Sequence, residues 1–229
     1  APTVDLTSLN PLHWYRNGDN GSYKSPQWLI PNNENKDKVS NYSLDFDGVD
    51  DSVSLSSTVN LGINSTVSFW IKRNRVNVPE MFLGENSYAN KYLIYVGNSD
   101  NIVYVEIGSG YKPFTATNSI LNNTTDWFNI CFIRSGDSGE LFVNGVSMGI
   151  NTGWGTLIDT KFDTIATQTG SSTFAFQGNI DELAGWNTNT INPLDIYNGG
   201  GLATPGDLSL LSTPPLHWYR NGDNDTYPT

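Results

Sequence analysis

Apolar and polar residues alternate most clearly between Trp127 and Gly149, and this stretch predicts three consecutive β-strands joined by two tight turns. In the first strand, one face carries Phe128, Ile130, Phe132 and Arg134, and the other carries Trp127, Asn129, Cys131 and Ile133. Both faces are mostly apolar, which predicts a central strand of a two-layer structure. Ser135–Gly139 forms the first turn. Asn144-Gly145 predicts a type I′ hairpin, because that turn needs positive φ at both central residues.

Shorter alternating segments predict the remaining strands, and turns rich in glycine, asparagine and serine separate them. The segments are Tyr42–Phe46, Ser52–Leu55, Thr66–Lys72, Met81–Gly84, Tyr92–Val96, Ile102–Ile107, Phe162–Ala166 and Phe174–Trp186. The last of them predicts one long or bulged strand, with Gly178 as its bend. Residues 190–197 predict one short helical turn. About a dozen antiparallel strands and almost no helix predict an all-β fold, a two-sheet antiparallel jelly-roll sandwich.

Composition agrees with this fold class and narrows the choice of partners. The formal net charge of −11 and the pI of about 4.4 disfavour nucleic acids and anionic membrane surfaces. An acidic exterior suits solubility, and it also suits calcium binding. No apolar run approaches the ~18 residues that a bilayer-spanning helix needs, so we expect no membrane insertion. The only cysteine, Cys131, lies in an apolar strand, which favours a buried small hydrophobe over a catalytic thiol.

The decapeptide Pro-Leu-His-Trp-Tyr-Arg-Asn-Gly-Asp-Asn occurs twice without change, at residues 11–20 and 215–224. Upstream, Asp5-Leu6-Thr7 more loosely resembles Asp207-Leu208-Ser209. Either the parent protein is a tandem array whose next unit begins with the second copy, or both copies dock on one domain as equivalent end pieces. We favour the array, because nothing between the copies repeats and their spacing is one domain's length. We therefore expect a joint and lead-in at 1–40, a domain at 41–203, and a C-terminal joint at 204–229 that starts a next repeat.

Three segments, in their order and spacing, carry a resemblance to a known family. They are Tyr42–Val53, the hairpins of Trp127–Gly149 and the segment Gly178–Leu183. Together they resemble the concanavalin A-like lectin/glucanase superfamily, and specifically its laminin G-like jelly-roll branch, over residues 40–200. The decapeptide's Trp-Tyr-Arg-x-Gly-Asp motif resembles the joints of multidomain proteins in marine phages and environmental sequences. That second resemblance implies a virion or surface-adhesion setting.

The glycoside hydrolases of this superfamily use a carboxylate pair that the sequence lacks. Their glucanase branch places the acids as Glu-x-Asp-x-(x)-Glu, so that strand alternation points them to one face. The corresponding segment here begins at Asn179, where the first acid would stand, and has Leu183 and Ala184 at the last acid position. Asp181 and Glu182 are neighbours, which a regular strand would point to opposite faces. Both histidines lie in the decapeptide copies. We therefore predict no enzyme activity and no catalytic residues.

The resemblance also implies a structural calcium ion. Related sandwiches hold one between an early Phe-x-Gly turn and an aspartate on a late strand, which corresponds here to Asp47, the Gly48 carbonyl and Asp181. Asp50 and Asp51 are reserve ligands. Calcium needs about six to eight oxygen ligands, so carboxylates and carbonyls suit it. In the alternative, Asp47 and Asp50 only stabilise a turn through hydrogen bonds to its backbone, and Asp181 faces solvent.

Sugar binding needs exposed aromatic rings that stack on pyranose faces. Trp154 is the first candidate, because it lies between Gly153 and Gly155 in a loop without a core pattern. Tyr88 and Tyr111 lie in other polar segments and could join it. The alternative for each is a loop aromatic that folds over a sheet edge. Trp70, Trp127 and Trp186 lie in strands and are expected in the core.

These patterns favour a non-catalytic module that binds a glycan or a cell-surface polysaccharide, within a repetitive extracellular, cell-surface or virion protein. Two alternatives stay open at this point. One is a structural spacer domain without a ligand, and the other is a divergent glycoside hydrolase. A glycan-binding module should retain glycan without turnover, a hydrolase should release reducing sugar, and a spacer should do neither.

Overall fold

The computed structural model describes residues 43–85, 93–97, 100–108, 110–167, 174–197 and 207–220. The strands in these ranges are β1 (Leu44–Asp47), β2 (Val53–Gly62), β3 (Asn64–Arg73), β4 (Glu80–Gly84), β5 (Ile94–Val96), β6 (Val103–Ile107), β7 (Gly110–Phe114), β8 (Phe128–Ser135), β9 (Ser138–Val143), β10 (Val146–Thr152), β11 (Thr160–Ile165), β12 (Gln177–Trp186) and β13 (His217–Tyr219). One α-helical turn, α1 (Pro193–Ile196), lies near the position predicted for it, and 3₁₀ turns lie at Thr115–Thr117 and Leu208–Leu210. Among the described residues, no helix has the length and apolar character to cross a membrane.

The strands form two antiparallel sheets that face each other. Sheet A has the order β1-β12-β3-β8-β9-β10, and β13 also pairs with β12. Sheet B has the order β2-β11-β4-β5-β6-β7. Non-consecutive neighbours such as β12 and β3 show that the chain crosses repeatedly between the two layers. The predicted all-β fold, a two-sheet antiparallel jelly-roll sandwich, is confirmed.

The stretch with the clearest alternation forms three consecutive strands of sheet A, as predicted. β8 pairs with β9, and β9 pairs with β10. At the second turn, Asn144 has φ 51° and Gly145 has φ 74°, so both central residues have the positive φ of a type I′ turn. β8 is buried on both faces, because sheet B covers one face and the segment after β12 covers much of the other.

β7 is a strand that the sequence pattern missed. It follows Gly108, begins at Gly110 and contains Pro113, and these residue types are typical of turns. The structure tolerates the proline because β7 is an edge strand of sheet B and pairs only with β6. Tyr111 therefore lies on a strand and not in a polar loop.

The main core fills the space between the inner faces of the two sheets. Its members are alternating apolar residues, which is why the period-two pattern found most of the strands. They include Val67, Phe69, Ile71, Ile130 and Phe132 from sheet A and Phe82, Val96, Val103, Val105 and Phe162 from sheet B. Aromatic rings cross the interface, for example Phe69 and Phe82 with centroids 5.8 Å apart.

A second apolar cluster covers the outer face of sheet A. Cys131 and Trp186 project outward from β8 and β12, and Ile191, Ile196 and Leu208 pack on them from the segment that follows β12. Cys131 is a buried free cysteine, as the sequence predicts. Burial raises the pKa of its thiol far above the ordinary value, so the thiolate is not accessible.

Residues 207–220 pack on this domain, which differs from the predicted boundary at residue 203. Leu208 is part of the outer cluster, and β13 pairs with the end of β12. The backbone N–H of Leu216 donates to the Gly185 carbonyl at 2.8 Å. The described part of the predicted joint is thus structurally a part of this sandwich, because its strand fills an edge of β12. The tandem array itself stays a prediction.

A buried ion pair joins the two sheets at one end of the sandwich. Arg73 on β3 donates from Nε to Glu80 Oε2 on β4 at 2.7 Å, and both side chains are 0% exposed. Arg73 Nη1 also donates to Asn101 Oδ1 and to the Leu121 carbonyl, each at 3.0 Å. Arg75 donates to the other Glu80 oxygen at 2.9 Å and is 31% exposed. One carboxylate therefore fixes two arginines and, through Arg73, two connecting segments.

We expect Glu80→Gln to lower the free energy of unfolding by about 3–5 kcal/mol, because it leaves the Arg73 charge buried without a counter-ion. Urea unfolding followed by fluorescence measures the change. Arg75→Ala is the matched control: it removes the partner of the other oxygen at a partly solvated position and should cost about 1 kcal/mol. Equal losses from the two variants would contradict the assignment of Arg73–Glu80 as the critical pair.

Candidate functional site

Three tyrosines on neighbouring strands lie across the outer face of sheet B, and we call Tyr95, Tyr104 and Tyr111 the tyrosine row. Tyr95 on β5 is directly opposite Tyr104 on β6. The residues beside them on these two strands are core residues, so strand alternation directs the tyrosines outward. The rings of Tyr95 and Tyr104 stack with centroids 5.4 Å apart at 17°, and those of Tyr104 and Tyr111 are 6.1 Å apart at 55°.

Tyr111 is the member of the row that presents its ring to solvent. It is 62% exposed, whereas Tyr95 and Tyr104 are half-buried. Phe174 packs its ring on Tyr95 at 6.2 Å and 89°. Gly97 makes room for Tyr104, because a Cβ built on Gly97 would lie 2.4 Å from Tyr104 Cε2. The two inner rings thus support Tyr111, and Tyr111 offers the free aromatic surface.

Two acidic residues lie beside the tyrosine row. The Tyr104 hydroxyl donates to Asp100 Oδ2 at 3.2 Å, and Asp100 Oδ1 accepts from the backbone N–H of Ile102 at 3.0 Å. Burial and then the Asp100 carboxylate raise the pKa of Tyr104, so its phenol stays protonated near neutral pH. Glu106, the next outward residue on β6, is in register with Tyr111. Carboxylates accept hydrogen bonds from hydroxyl groups, so the row combines a stacking surface with hydroxyl acceptors.

Sequence reasoning found one member of this row and missed two. Tyr111 was a predicted ligand-binding residue, and its exposure is compatible with that role. Tyr95 and Tyr104 were counted only as strand residues, although aromatic residues at the outward positions of two successive strands are a readable signal. Tyr88, the other predicted loop tyrosine, lies outside the described residues.

The structure places Trp154 in the core, and the expectation of an exposed ring there is wrong. The residue is 6% exposed, and its ring packs edge-to-face on Phe132 with centroids 5.6 Å apart at 79°. Gly139 admits it, because a Cβ built there would lie 2.8 Å from Trp154 Cζ3. The position of Trp154 matches the alternative prediction, in which a loop aromatic folds over a sheet edge. In this position Trp154 offers no free face to a glycan.

Two charged side chains hold the loop that buries Trp154. Arg134, fully buried, donates from Nη2 to the Gly155 carbonyl at 2.9 Å and from Nη1 to the Ile158 carbonyl at 2.7 Å. The Asp137 carboxylate accepts from the backbone N–H of Gly153 at 3.1 Å and also from that of Gly155. These bonds fix the backbone on both sides of Trp154, so the indole is directed inward.

Three carboxylates meet in the turn after β1, and we call Asp47, Asp50 and Asp51 the acidic turn. Each offers an oxygen, and these oxygens lie within 4.8 Å of one another on the protein surface. Asp47 Oδ1 accepts from the backbone N–H of Val49 at 2.7 Å, and Asp51 Oδ2 accepts from that of Asp47 at 2.9 Å. Asp47 and Asp51 therefore stabilise the turn. The alternative interpretation named Asp47 and Asp50 for this role, and its expectation that Asp181 faces solvent is wrong, because Asp181 is 4% exposed. Their remaining oxygens form a donor set that fits a hard cation such as calcium.

Asp181 does not join the acidic turn, so the predicted calcium ligands Asp47, Gly48 and Asp181 are not brought together. In the β1–β12 ladder, Asp47 is opposite Gln177. Asp181 thus lies four residues farther along β12, roughly 13 Å away at the usual rise of a strand. It is buried, and its Oδ1 accepts from the backbone N–H of Glu182 at 2.8 Å. The reserve ligands Asp50 and Asp51 are the ones near Asp47.

Glu182 lies in a bulge of β12 and is held by the second decapeptide copy. Its φ is 50°, and the register with β3 shifts between Asp181 and Ala184. The Trp218 indole N–H donates to Glu182 Oε2, and Arg220 Nε donates to Oε1 at 3.2 Å. Burial raises the pKa of Glu182 to about 7, against the opposing effect of Arg220. Glu182 is 2% exposed and Asp181 is 4% exposed, so this pair does not line an open cleft.

Comparison with known proteins identifies the fold family. The model of the concanavalin A-like lectin/glucanases superfamily matches residues 47–196, more than half of the chain. No curated protein matches the sequence significantly. The resemblance read from Tyr42–Val53, Trp127–Gly149 and Gly178–Leu183 is therefore confirmed.

Solved structures of the same fold include proteins from several bacteria and an animal. A putative carbohydrate-binding protein from Bacteroides ovatus has a TM-score of 0.58 and 15% identity, over 81% of this chain and 52% of that one. This chain therefore spans about half of that protein. The heptameric pentraxin of Limulus polyphemus has a TM-score of 0.52 and 13% identity, over 71% and 81%. The CBM40 of a Ruminococcus gnavus sialidase, bound to α2,3-sialyllactose, has a TM-score of 0.50 and 12% identity, over 70% of this chain and 97% of that one. At these identities the similarity establishes the fold.

We expect the stability of the protein to fall as the pH rises through the titration of Glu182. Because the pKa of Glu182 rises from 4.5 to about 7 on folding, the folded state binds this proton more tightly than the unfolded chain. The resulting stabilisation is complete below pH 4.5 and is lost as the pH rises through about 7. The loss amounts to about 3 kcal/mol.

Glu182→Gln cannot ionise and should remove this part of the pH dependence, as measured by urea unfolding at a series of pH values. Asp195→Asn, at an exposed acid on α1, should keep the wild-type profile. An unchanged pH profile in Glu182→Gln would show that the buried carboxyl titrates normally, and the prediction would be wrong.

Proposed function

The chain belongs to the concanavalin A-like lectin/glucanases superfamily, and we propose that it is a non-catalytic, lectin-like module that binds a glycan or a cell-surface polysaccharide. The observation that carries the proposal is the tyrosine row, with the exposed ring of Tyr111 beside the acceptors Asp100 and Glu106. Aromatic rings next to a few placed polar groups are the usual composition of carbohydrate and small-molecule sites. The row extends over three strands, which suits an elongated ligand.

The buried state of the acids on β12 supports a binding role over hydrolysis. A glycosidase needs two carboxyl groups that flank a bound glycosidic bond. Asp181 accepts a backbone hydrogen bond, and Glu182 is engaged by Trp218 and Arg220. Neither carboxyl is accessible to a polysaccharide, so the strand that carries the catalytic acids in the glucanase branch serves as structure here.

The setting that we propose is a repetitive extracellular, cell-surface or virion protein. The identical decapeptides support a repetitive parent chain. The net charge of −11 supports a partner other than nucleic acid or an anionic membrane surface. A neutral polysaccharide suits this charge, because its recognition depends on stacking and hydrogen bonds and does not require a basic surface.

Tyr111→Ala should weaken glycan binding at least tenfold, or about 1.4 kcal/mol, because it removes the exposed stacking ring. A glycan and polysaccharide array identifies the ligand, and calorimetry measures the affinities. Tyr111→Phe keeps the ring and should bind nearly as wild type. Leu210→Ala is the matched control, since Leu210 is 82% exposed on the side of sheet A.

Three outcomes would contradict the proposal. Equal binding by Tyr111→Ala and wild type would place the site elsewhere. Absence of binding across the array would favour the structural spacer. Release of reducing sugar from a bound polysaccharide would favour the divergent hydrolase.

We also propose that the acidic turn binds calcium as a structural ion. The three carboxylates supply oxygen ligands of the kind that calcium prefers, and their exposure leaves room for water to complete the shell. The turn is at the end of the sandwich that also carries part of the tyrosine row. A chain of contacts joins the two. A Cβ built on Gly48 would lie 3.2 Å from Arg75 Nη1, and Arg75 donates to the Ala175 carbonyl. Phe174, the residue before Ala175, contacts the ring of Tyr95.

Calcium at about 100 times its dissociation constant should stabilise the fold by about 2.7 kcal/mol and raise Tm by several degrees. Differential scanning calorimetry with calcium and then with chelator measures the shift. Asp50→Asn combined with Asp51→Asn should abolish it, while Asp195→Asn should retain it. A Tm of the wild type that is insensitive to calcium and chelator would contradict the proposal.

A further inference from the structure

We propose that the N-terminal decapeptide, residues 11–20, can take the place of β13 on β12 of a second copy of this domain when the C-terminal strand of that copy is displaced. The place that it would fill is the edge of β12 which the C-terminal decapeptide occupies in this structure. We call that edge the acceptor edge, and it comprises Glu182, Leu183, Ala184 and Gly185. The inference concerns a protein–protein contact and is independent of glycan binding.

The C-terminal copy occupies the acceptor edge through both backbone and side chains. Tyr219, Trp218 and His217 are opposite Leu183, Ala184 and Gly185 in an antiparallel ladder. β1 pairs with the same edge of β12, but only as far as Ile180. β1 and β13 therefore share one edge in succession, and without β13 the backbone groups of residues 183–185 that face this edge would lose their partners, while those that face β3 would keep theirs. Such an unpaired edge recruits a strand.

Trp218 and Tyr219 of β13 and the following residue, Arg220, each have distinct contacts. Trp218 packs against the outer cluster, and its N–H donates to Glu182. Tyr219, the next residue, packs against the main core on the other side of the sheet. Arg220 is 5% exposed, pairs with Glu182 and lies over the Trp218 ring at 4.6 Å. A strand without these side chains would leave the Glu182 carboxyl buried and unpaired, which makes the edge selective for this sequence.

All residues that make these contacts lie within the duplicated decapeptide. His13, Trp14, Tyr15 and Arg16 correspond to His217, Trp218, Tyr219 and Arg220. The N-terminal copy therefore has every side chain that the acceptor edge recognises. The match is looser upstream of the decapeptide. Asp207 caps the 3₁₀ turn of Leu208–Leu210. The corresponding Asp5-Leu6-Thr7 is separated from its decapeptide by two residues fewer than Asp207-Leu208-Ser209.

Each copy of this domain thus has one acceptor edge and two strands that fit it. In this structure the C-terminal strand fills the edge of its own domain. When the C-terminal strand of another copy is displaced, the N-terminal decapeptide has its matching edge there and would take the place of β13. In a tandem array this would make the decapeptide the last strand of the domain that precedes it. Such contacts build rings or open chains, and two copies that exchange strands form a closed dimer.

The test weakens one copy of the decapeptide at a time in the 229-residue chain. Trp218→Ala with Arg220→Ala weakens the C-terminal strand, and Trp14→Ala with Arg16→Ala weakens the N-terminal one. We expect the wild type and the N-terminal variant to be monomeric with equal stability. The C-terminal variant should associate through the intact N-terminal strands, with at least a doubling of its weight-average mass in sedimentation as concentration rises.

Two controls separate this association from misfolding. The variant with all four substitutions should stay monomeric and be less stable than the C-terminal variant, because neither strand can fill the edge. A synthetic peptide of residues 207–224 should dissociate the assemblies of the C-terminal variant, and the same peptide with both alanines should not. If the double substitution prevents folding, Trp218→Phe keeps an aromatic ring but removes the N–H donor to Glu182 and part of the ring area, and it serves the same test, with Trp14→Phe as its control.

The proposal would be overturned by a folded C-terminal variant that stays monomeric at every concentration. A monomeric variant that keeps its stability would also overturn it, because its own N-terminal segment would then fill the edge. Association that persists in the variant with all four substitutions would also overturn it, since that association would be non-specific.

Discussion

The buried pair Arg73–Glu80 is the constraint on which much of this sandwich depends. It joins a strand of sheet A to a strand of sheet B without contact with water, so each charge relies on the other. Arg73 relies in addition on nearby oxygen acceptors, and Glu80 relies on nearby N–H donors. Asn101 accepts from Arg73 and from the backbone N–H of Asn77, and its own φ of 53° sets the entry into β6. The tyrosine row lies on β5, β6 and β7, so its geometry follows from a polar network inside the core.

A second buried arginine, Arg134, fixes the loop after β10 through hydrogen bonds to backbone carbonyls. Arg134 satisfies carbonyls of Gly136, Gly155 and Ile158. This decides the fate of Trp154, whose flanking glycines allow many conformations in the isolated chain. Arg134 thus fixes the loop that carries the Trp154 ring into the core. Trp154 becomes part of the core, and Tyr111 remains on the surface.

Strand β12 carries the segment that corresponds to the glucanase acids, and it also pairs with the second copy of the decapeptide. A regular strand would point Asp181 and Glu182 to opposite faces, but the bulge gives both of them buried positions. Glu182 is then available to Trp218 and Arg220, and the position where the superfamily's hydrolases carry acids becomes an anchor for a strand. Glu182 thus holds the end of β13 through its hydrogen bonds to Trp218 and Arg220.

The fold follows from local sequence, because a half-buried strand leaves a period-two pattern and an Asn-Gly turn has a restricted geometry. Trp127–Gly149 therefore predicted β8, β9 and β10, and the ordered motifs predicted the superfamily. β7 escaped because Gly110 and Pro113 resemble a turn, and only its position at a sheet edge makes them acceptable.

The candidate sites depended on tertiary structure. Burial of Trp154, separation of Asp181 from Asp47 and convergence of Tyr95, Tyr104 and Tyr111 result from strand register and from buried charges. These join residues far apart in the sequence. The duplication was visible in the sequence, but only the pairing of β13 with β12 showed that its second copy completes this domain. Periodicity reports which face of a strand is buried, whereas register and long-range pairing decide which side chains meet.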